Sequence, residues 1–227
     1  MHNKQHNWNK FYDSTRAKSV SYPESFVVRM FYGSNPNHMI RNYNTKNKKA
    51  LDLSAGTGRN INLLLELGFI VDVSEISEKL VSNLKNKYYG SVNAFHIGML
   101  PNLPIRDHSY DVVLSCNSCY YLNDQFVFID NLNEILRILD RGGLFAGSML
   151  KSSHTVLSNG EKISNNVMQI RKNYQGNSTG ERLAYFDSSR ELKNFLSKYF
   201  NCIEIAELRD EYNGFNRHLF YFTAKKK

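Results

Sequence analysis

Between residues 50 and 150 the sequence alternates short apolar runs with longer segments of helical periodicity, and this alternation restricts the possible folds more than any other feature. Five apolar runs predict buried strands, at residues 50–53, 69–75, 93–97, 110–115 and 144–150. Three segments have apolar residues at the spacing of one helix face, at residues 59–67, 78–89 and 126–139. This order predicts an α/β fold with a doubly wound, mostly parallel, Rossmann-like sheet and right-handed crossovers.

The C-terminal part of the sequence predicts how this sheet is completed. A helix is expected at residues 188–200. Residues 202–208 and 218–224 are β-rich and are separated by Asn213-Gly214, a pair that favours a tight turn. We therefore expect a closing hairpin, which makes the final strand antiparallel to its neighbour.

Two regions fall outside the regular alternation. Residues 151–187 are polar and irregular, which predicts an insertion over the sheet. Residues 1–48 lack clean periodicity, apart from a short amphipathic helix over residues 24–32. The expected organisation is an N-terminal lid or extension at residues 1–48 and a single domain at residues 49–227.

A glycine-containing loop, Asp52–Gly58, lies between the first predicted strand and the first predicted helix. Glycine lets the backbone turn tightly and lie against a ligand, and the helix N-terminus presents free N–H groups. Glu75 ends the next strand, where a carboxylate can accept hydrogen bonds from both hydroxyls of a ribose. The third glycine expected for a pyrophosphate falls on the bulky Ile61. A nicotinamide-dependent oxidoreductase is therefore an alternative that the loop fits poorly.

Five motifs in order, the loop included, resemble those of the class I S-adenosylmethionine-dependent methyltransferases over about residues 49–225. The motifs are Asp52–Gly58, Glu75-Ile76-Ser77, Ile97–Pro104, Ser109–Ser115 and Leu136–Gly143. Ser54 stands where the first motif of the family has glycine, and Arg141 stands where the turn before the fifth strand has proline. The resemblance implies a methyltransferase with S-adenosylmethionine as its methyl donor.

The resemblance also implies which residues bind this donor. They are Asp52, Ser54, Ala55, Gly56, Gly58, Glu75, Ile76, Met99 and Leu100. Met99 occupies the position where the family usually has an aspartate that contacts the adenine amino group, and a thioether accepts that hydrogen bond poorly. Two interpretations of Met99 stay open: packing on the adenine face, or plain core packing. A cofactor-binding protein that has lost turnover is therefore a further alternative.

Ligands bind at the carboxyl ends of the strands in such sheets, so the end of the fourth strand is expected to form part of the site. Ser115, Asn117 and Tyr120 are expected beside the reacting methyl group, with Ser115 and Asn117 as cofactor contacts. Tyr120 is a candidate catalytic residue that shapes the acceptor pocket, and aromatic packing is the other interpretation. His154 follows the fifth strand and is the candidate general base. A solvent-exposed loop histidine is the alternative for that residue.

The N-terminal segment from Trp8 to Arg29 is expected to fold over the cofactor. Tyr12 and Tyr22 are candidate contacts, because aromatic rings attract a sulfonium cation. Arg29 is a candidate partner of the methionine carboxylate. Core packing and surface charge are the alternatives for these three side chains.

The charge balance of the chain indicates what kind of molecule could accept the methyl group. The net charge is +8, and residues 1–50 hold nine Lys and Arg residues against two Asp and Glu residues. Such an excess suits an anionic partner, or only a solvated basic surface. A small-molecule acceptor methylated on oxygen or nitrogen, anionic or sugar-like, is favoured because no RNA-binding signature is present. RNA methylation is the runner-up.

The remaining composition narrows the class of protein. No apolar run approaches the length of a membrane span, and the N-terminus lacks the apolar stretch of a secretory signal, so a soluble, cytoplasmic protein is expected. Three cysteines do not make a disulfide framework. Cys116 and Cys119 follow an apolar run, which favours packing over metal binding, and no metal site is expected.

Overall fold

The structure, a computed structural model, describes residues 2–14, 22–33, 43–123, 125–171 and 179–227. Parts of the expected N-terminal extension and of the expected insertion, at residues 15–21, 34–42 and 172–178, lie outside the described residues.

Helices and strands alternate through the described part of the chain. The helices are α1 (His2–Ser14), α2 (Ser25–Tyr32), α3 (Ile61–Glu66), α4 (Glu78–Lys87), α5 (Phe128–Ile138) and α6 (Ser189–Leu196). The strands are β1 (Lys49–Leu53), β2 (Ile70–Glu75), β3 (Ala94–Ile97), β4 (Tyr110–Ser115), β5 (Tyr121–Leu122), β6 (Leu139–Lys151), β7 (Gly160–Ser164), β8 (Val167–Ile170), β9 (Arg182–Phe186), β10 (Phe200–Tyr212) and β11 (Phe215–Lys226).

The central sheet is parallel in the order β3-β2-β1-β4-β6, and β11 and β10 extend it as an antiparallel pair. The chain runs outwards from β1 to β2 and β3, then returns to place β4 on the other side of β1. Such a reversal opens a crevice at the carboxyl ends of the strands, where ligands bind. The predicted doubly wound α/β class and antiparallel final strand are confirmed.

The central strands form because they are apolar on both faces. Leu51, Leu53, Val112 and Leu114 are fully buried, as a sheet covered on both sides requires. Each such side chain contributes about 1.5–3 kcal/mol through burial. This core holds the ends of β1, β2 and β4 rigidly, and those ends carry the candidate site.

The expectation of an irregular insertion at residues 151–187 is wrong for its described part. Strands β7, β8 and β9 form an antiparallel meander, and β9 pairs with the end of β6 at Leu150 and Lys151. The strands have only four or five residues each, β7 is mostly polar, and β8 and β9 do not alternate apolar with polar residues, so no clear period-2 pattern marks them. Pairing with an existing sheet edge supplies the order that the local sequence does not indicate.

Three other elements differ from the expectation. β6 begins at Leu139 rather than at residue 144, because Gly142 adopts a φ of 67° and lets the strand continue through an irregularity. The closing hairpin is longer than expected on both sides of its turn. Helix α1 is unexpected, because its sequence is mostly polar and only Trp8, Phe11 and Tyr12 have the spacing of one helix face. No helix in the described ranges is long and apolar enough to cross a bilayer.

Candidate functional site

The loop after β1 has the backbone geometry that its glycines permit. Gly56 and Gly58 have φ values of 62° and 78°, in the left-handed region that side chains rarely adopt. A Cβ built on Gly58 would lie 2.6 Å from the Tyr88 ring, so this glycine allows close packing beneath the loop. Ser54, in the family's glycine position, also has a left-handed φ of 57°. The loop therefore keeps the tight conformation despite the serine.

Glu75, at the end of β2, is locked against this loop. Its carboxylate accepts hydrogen bonds from the Gly56 N–H at 2.5 Å and from the Ile76 N–H at 2.9 Å. The residue is 3% exposed, and burial raises the pKa of its carboxyl group while the two backbone donors lower it. Each oxygen keeps lone-pair capacity for a ligand hydroxyl.

Asp52 lies directly beneath the loop and is fully buried. Neither of its carboxylate oxygens has a hydrogen-bond partner among the described residues. Burial raises the pKa of Asp52 to about 7, Glu75 adds to the increase, and the positive charge of Arg59 and the nearby Asn60 side chain oppose it. A buried carboxylate without a donor is costly, and a ligand cation or donor is the partner that it lacks.

One cleft of about 520 Å³ opens at the carboxyl edge of the parallel strands, a volume typical of small-molecule sites. Eleven residues predicted from the sequence line it: Tyr12, Ser54, Ala55, Gly56, Glu75, Ile76, Met99, Leu100, Asn117, Tyr120 and His154. Asp52, Gly58 and Ser115 do not line the cleft. Ser115 is buried, and its hydroxyl bonds to the Ser118 hydroxyl at 2.7 Å and accepts from the Cys119 N–H.

The structure does not bring two predicted cofactor contacts to the cleft. Tyr22 is 79% exposed and is absent from the lining. Arg29 lies on α2, whose buried face points inward through Phe26 and Met30, and the arginine borders a second cavity beside Lys193. The helix orientation therefore corrects the expectation for Arg29, and exposure corrects the one for Tyr22.

Helix α1 covers one end of the cleft. Gln5 donates to the Ile76 carbonyl at 2.9 Å, and the Ser77 hydroxyl donates to the Asn9 side chain at 2.6 Å. Trp8, Phe11 and Tyr12 line the cleft, so the aromatic face of the helix looks onto the glycine loop. A Cβ on Gly56 would lie 2.6 Å from the Tyr12 hydroxyl. Only the Tyr12 part of this face was expected from the sequence.

A charged cluster in the cleft was also unexpected. Glu24, which is 7% exposed, bonds Arg59 at 2.6 Å through one carboxylate oxygen and Arg217 at 2.5 Å through the other. All three residues line the cleft. Arg59 follows the glycine loop directly, which is a local signal. Arg217 comes from the distant closing hairpin, so no local signal marks it.

His154 is buried at 9% exposure and caps the short helix after β6. Its Nδ1 accepts a hydrogen bond from the Val156 N–H at 3.1 Å. Burial first, then the charges of Arg217 and His218, lower the pKa of His154 to about 4. The ring is thus neutral with its proton on Nε2, so the lone pair that a general base needs is already engaged. The geometry gives His154 a donor role in place of the expected base.

Tyr120 stacks on Tyr121, with ring centroids 5.1 Å apart. Burial raises the pKa of Tyr120 well above its ordinary value, and Tyr121 adds to the shift. The phenol therefore stays neutral and forms part of the wall of the cleft. Cys116 and Cys119 are buried free thiols, as expected from their apolar surroundings.

Known proteins share this architecture. Residues 51–147 match a family model described as a methyltransferase domain. No curated protein matches the chain in sequence.

Solved structures match over most of the chain. A methyltransferase structure from Methanosarcina mazei is 17% identical, covers 83% of this chain and 96% of its own, and has a TM-score of 0.64. A protein from Pyrococcus horikoshii is 17% identical over 96% of this chain and 99% of its own, with a TM-score of 0.63.

A third structure is the 1,6-didemethyltoxoflavin-N1-methyltransferase of Burkholderia thailandensis, with its acceptor and S-adenosylhomocysteine bound. It is 20% identical, covers 80% of this chain and 72% of its own, and has a TM-score of 0.59. At these identities the solved structures show the shared fold, and the family model matches the segment that holds the glycine loop and Glu75. The segment that holds the candidate site therefore resembles a methyltransferase domain.

Proposed function

We propose that the chain is a class I S-adenosylmethionine-dependent methyltransferase that acts on a small molecule, on an oxygen or nitrogen atom, within the cleft between the glycine loop and the closing hairpin. The observation that carries the proposal is the continuity of the cleft. The same 520 Å³ space is lined by the loop and Glu75 at one end and by Tyr120, His154 and Phe215 at the other. Its size suits small ligands. The small acceptor named for the Burkholderia thailandensis enzyme supports the same acceptor class.

The residues at the loop end fit the donor. Asp52 is buried beneath the loop, its carboxylate oxygens have no partner among the described residues, and its negative charge suits the ammonium of the methionine part. Glu75 has acceptor capacity for the two ribose hydroxyls. Met99 and Leu100 line the space expected for the adenine. Arg59, which replaces Arg29 in this role, is the nearest cation for the methionine carboxylate.

S-adenosylmethionine supplies an activated methyl group on a sulfonium. The protein therefore has to align the acceptor in line and exclude water, and it needs no nucleophile of its own. Trp8, Phe11 and Tyr12 exclude water from the loop end, and their rings favour a nearby cation. Tyr120 and Leu183 form part of the wall that confines the acceptor.

The test is methyl transfer from labelled S-adenosylmethionine to two pools, a deproteinised metabolite extract and total RNA. We expect label in small molecules, and we expect loss of that label in Glu75→Ala. Label that appears only in RNA would establish the runner-up, in which the basic surface holds phosphates. Cofactor binding without label in either pool would favour a protein that has lost turnover.

A further inference from the structure

One part of the cleft, lined by the closing hairpin and by His154, contains N–H groups that have no acceptor among the described residues. Arg217 has five N–H donors, and one nitrogen, Nη2, bonds Glu24. Its side chain is 24% exposed and borders the cleft. No acceptor among the described residues takes Nε or Nη1, so most of the guanidinium fork remains for a ligand.

The charges around Arg217 do not cancel. Glu24 carries one negative charge, and its two oxygens are divided between Arg59 and Arg217. The single negative charge of Glu24 is thus shared by two guanidinium groups, so it neutralises Arg217 only in part. The Arg217 side chain is 24% exposed, so water screens its charge less than at an open surface, and a ligand anion gains more from it.

His154 adds a neutral donor to the same region. Its Nδ1 is occupied by the Val156 N–H, which leaves the Nε2–H as its free polar atom at the cleft. An N–H donor of this kind attracts an oxygen acceptor and cannot accept a hydrogen bond from a cationic amine. Glu24 is the carboxylate in this part of the cleft, and its two oxygens are already paired with Arg59 and Arg217.

The remaining walls are apolar or aromatic. Leu150, Val156, Leu183, Phe215 and Leu219 line the cleft around the two donors. The ring of Phe215 meets His154 edge-on, with centroids 5.8 Å apart. These walls suit a ring-shaped or other apolar body, whereas a sugar would leave its hydroxyls without partners.

From this arrangement we propose that the methyl acceptor is a small ring compound that carries an oxyanion, a carboxylate above all, and that Arg217 binds the oxyanion beside the Nε2–H donor of His154. The guanidinium fork matches the two oxygens of a carboxylate. The inference rests on the proposed function, because it assigns the substrate class of the same cleft. Arg217 is a specificity-determining residue in this account.

Calorimetry on the full chain saturated with S-adenosylhomocysteine tests the inference with three probes of one shape. The probes are benzoate, the neutral benzamide and the cationic benzylamine. We expect benzoate to bind at least about tenfold more tightly than either other probe, the size of one charge-assisted hydrogen-bonded pair. In Arg217→Met we expect benzoate to fall to the level of benzamide, while Arg217→Lys keeps part of the preference.

Arg209→Met is the matched control, because Arg209 lies on the same hairpin, is exposed and pairs with Glu211. We expect it to leave benzoate binding unchanged. Equal binding of the three probes, binding of none, or undiminished benzoate binding in Arg217→Met would overturn the inference. If Arg217→Met does not fold, the inference is tested by Arg217→Lys and by the relative affinities of the three probes for the unaltered protein. Failure to bind S-adenosylhomocysteine at all would instead refute the proposed function.

Discussion

At the scale of single residues, Glu75 connects the fold to the proposed cofactor chemistry. The end of β2 places its carboxylate against the glycine loop, and the N–H groups of Gly56 and Ile76 hold it there. The carboxylate is thus oriented before a ligand arrives. Preorganisation of this kind reduces the entropy lost when the ligand binds.

Replacing Glu75 tests that role. Glu75→Ala removes the acceptor of two backbone donors and of the proposed ribose hydroxyls, so binding of S-adenosylhomocysteine should weaken by about 1–3 kcal/mol. Isothermal titration calorimetry measures the change. Glu66→Ala is the control, since Glu66 is an exposed residue at the end of α3. Unchanged affinity in Glu75→Ala would remove this residue from the site.

Asp52 gives a prediction in pH. In the free protein its pKa is about 7, mainly because of burial, with Glu75 raising it and Arg59 lowering it. A bound ammonium favours the ionised carboxylate and lowers the pKa, so binding releases a proton at pH values below about 7. Affinity for S-adenosylhomocysteine should therefore rise from pH 6 to pH 7 and level off by pH 8.

Calorimetry in two buffers of different ionisation enthalpy counts these protons. We expect release of a proton at pH 6 and much less at pH 8. Asp52→Asn should bind more weakly and lose this pH dependence. An identical proton count at both pH values in the unaltered protein would contradict the role of Asp52.

Some residues of the candidate site could be predicted from the sequence and others could not. Asp52 and Glu75 could be predicted because each lies within a few positions of a strand end, which the local pattern reveals. Arg217 could not be predicted, because its position depends on how the closing hairpin meets the cleft. Arg29 borders a different cavity from the one expected, because a short amphipathic helix does not reveal which cavity its charged face meets.

At the scale of elements, α1 is the clearest example of a helix that could not be predicted from the sequence. Its residues are mostly polar, with a high share of Asn, so helix propensity does not favour it, and its apolar spacing is limited to Trp8, Phe11 and Tyr12. Tertiary contacts supply its order: Lys4 pairs with Glu181 at 2.8 Å, and Gln5 and Asn9 bond the turn after β2. The helix carries the aromatic residues that cover the proposed cofactor.

The position of α1 leads to a fluorescence prediction. Trp8 is the single tryptophan of the chain, lines the cleft and meets Tyr121 edge-on at 5.3 Å. Binding of S-adenosylhomocysteine should therefore change the intensity or wavelength of its emission, with a midpoint equal to the calorimetric Kd. Trp8→Phe should lose the signal and retain most of the binding. Calorimetric binding without any change in emission would place the ligand away from α1.

At the scale of the whole molecule, the alternation between residues 50 and 150 was sufficient for the fold class. Parallel strands that are buried on both faces need helices on both sides of the sheet, and this is the doubly wound architecture that the structure has. The meander β7–β9 was not predictable, because its strands depend on an edge provided by β6. The end of the cleft that is proposed to bind the methyl donor is formed by the part of the chain that could be predicted. The end that is proposed to bind the methyl acceptor is formed largely by segments whose order depends on tertiary contacts.

The proposed function requires the cleft to bind S-adenosylmethionine rather than a dinucleotide. Titration calorimetry of the full chain with S-adenosylhomocysteine and, separately, with NAD tests this most directly. We predict saturable one-to-one binding of S-adenosylhomocysteine, weakened in Glu75→Ala, and no measurable heat from NAD. Saturable binding of NAD without binding of S-adenosylhomocysteine would contradict the account.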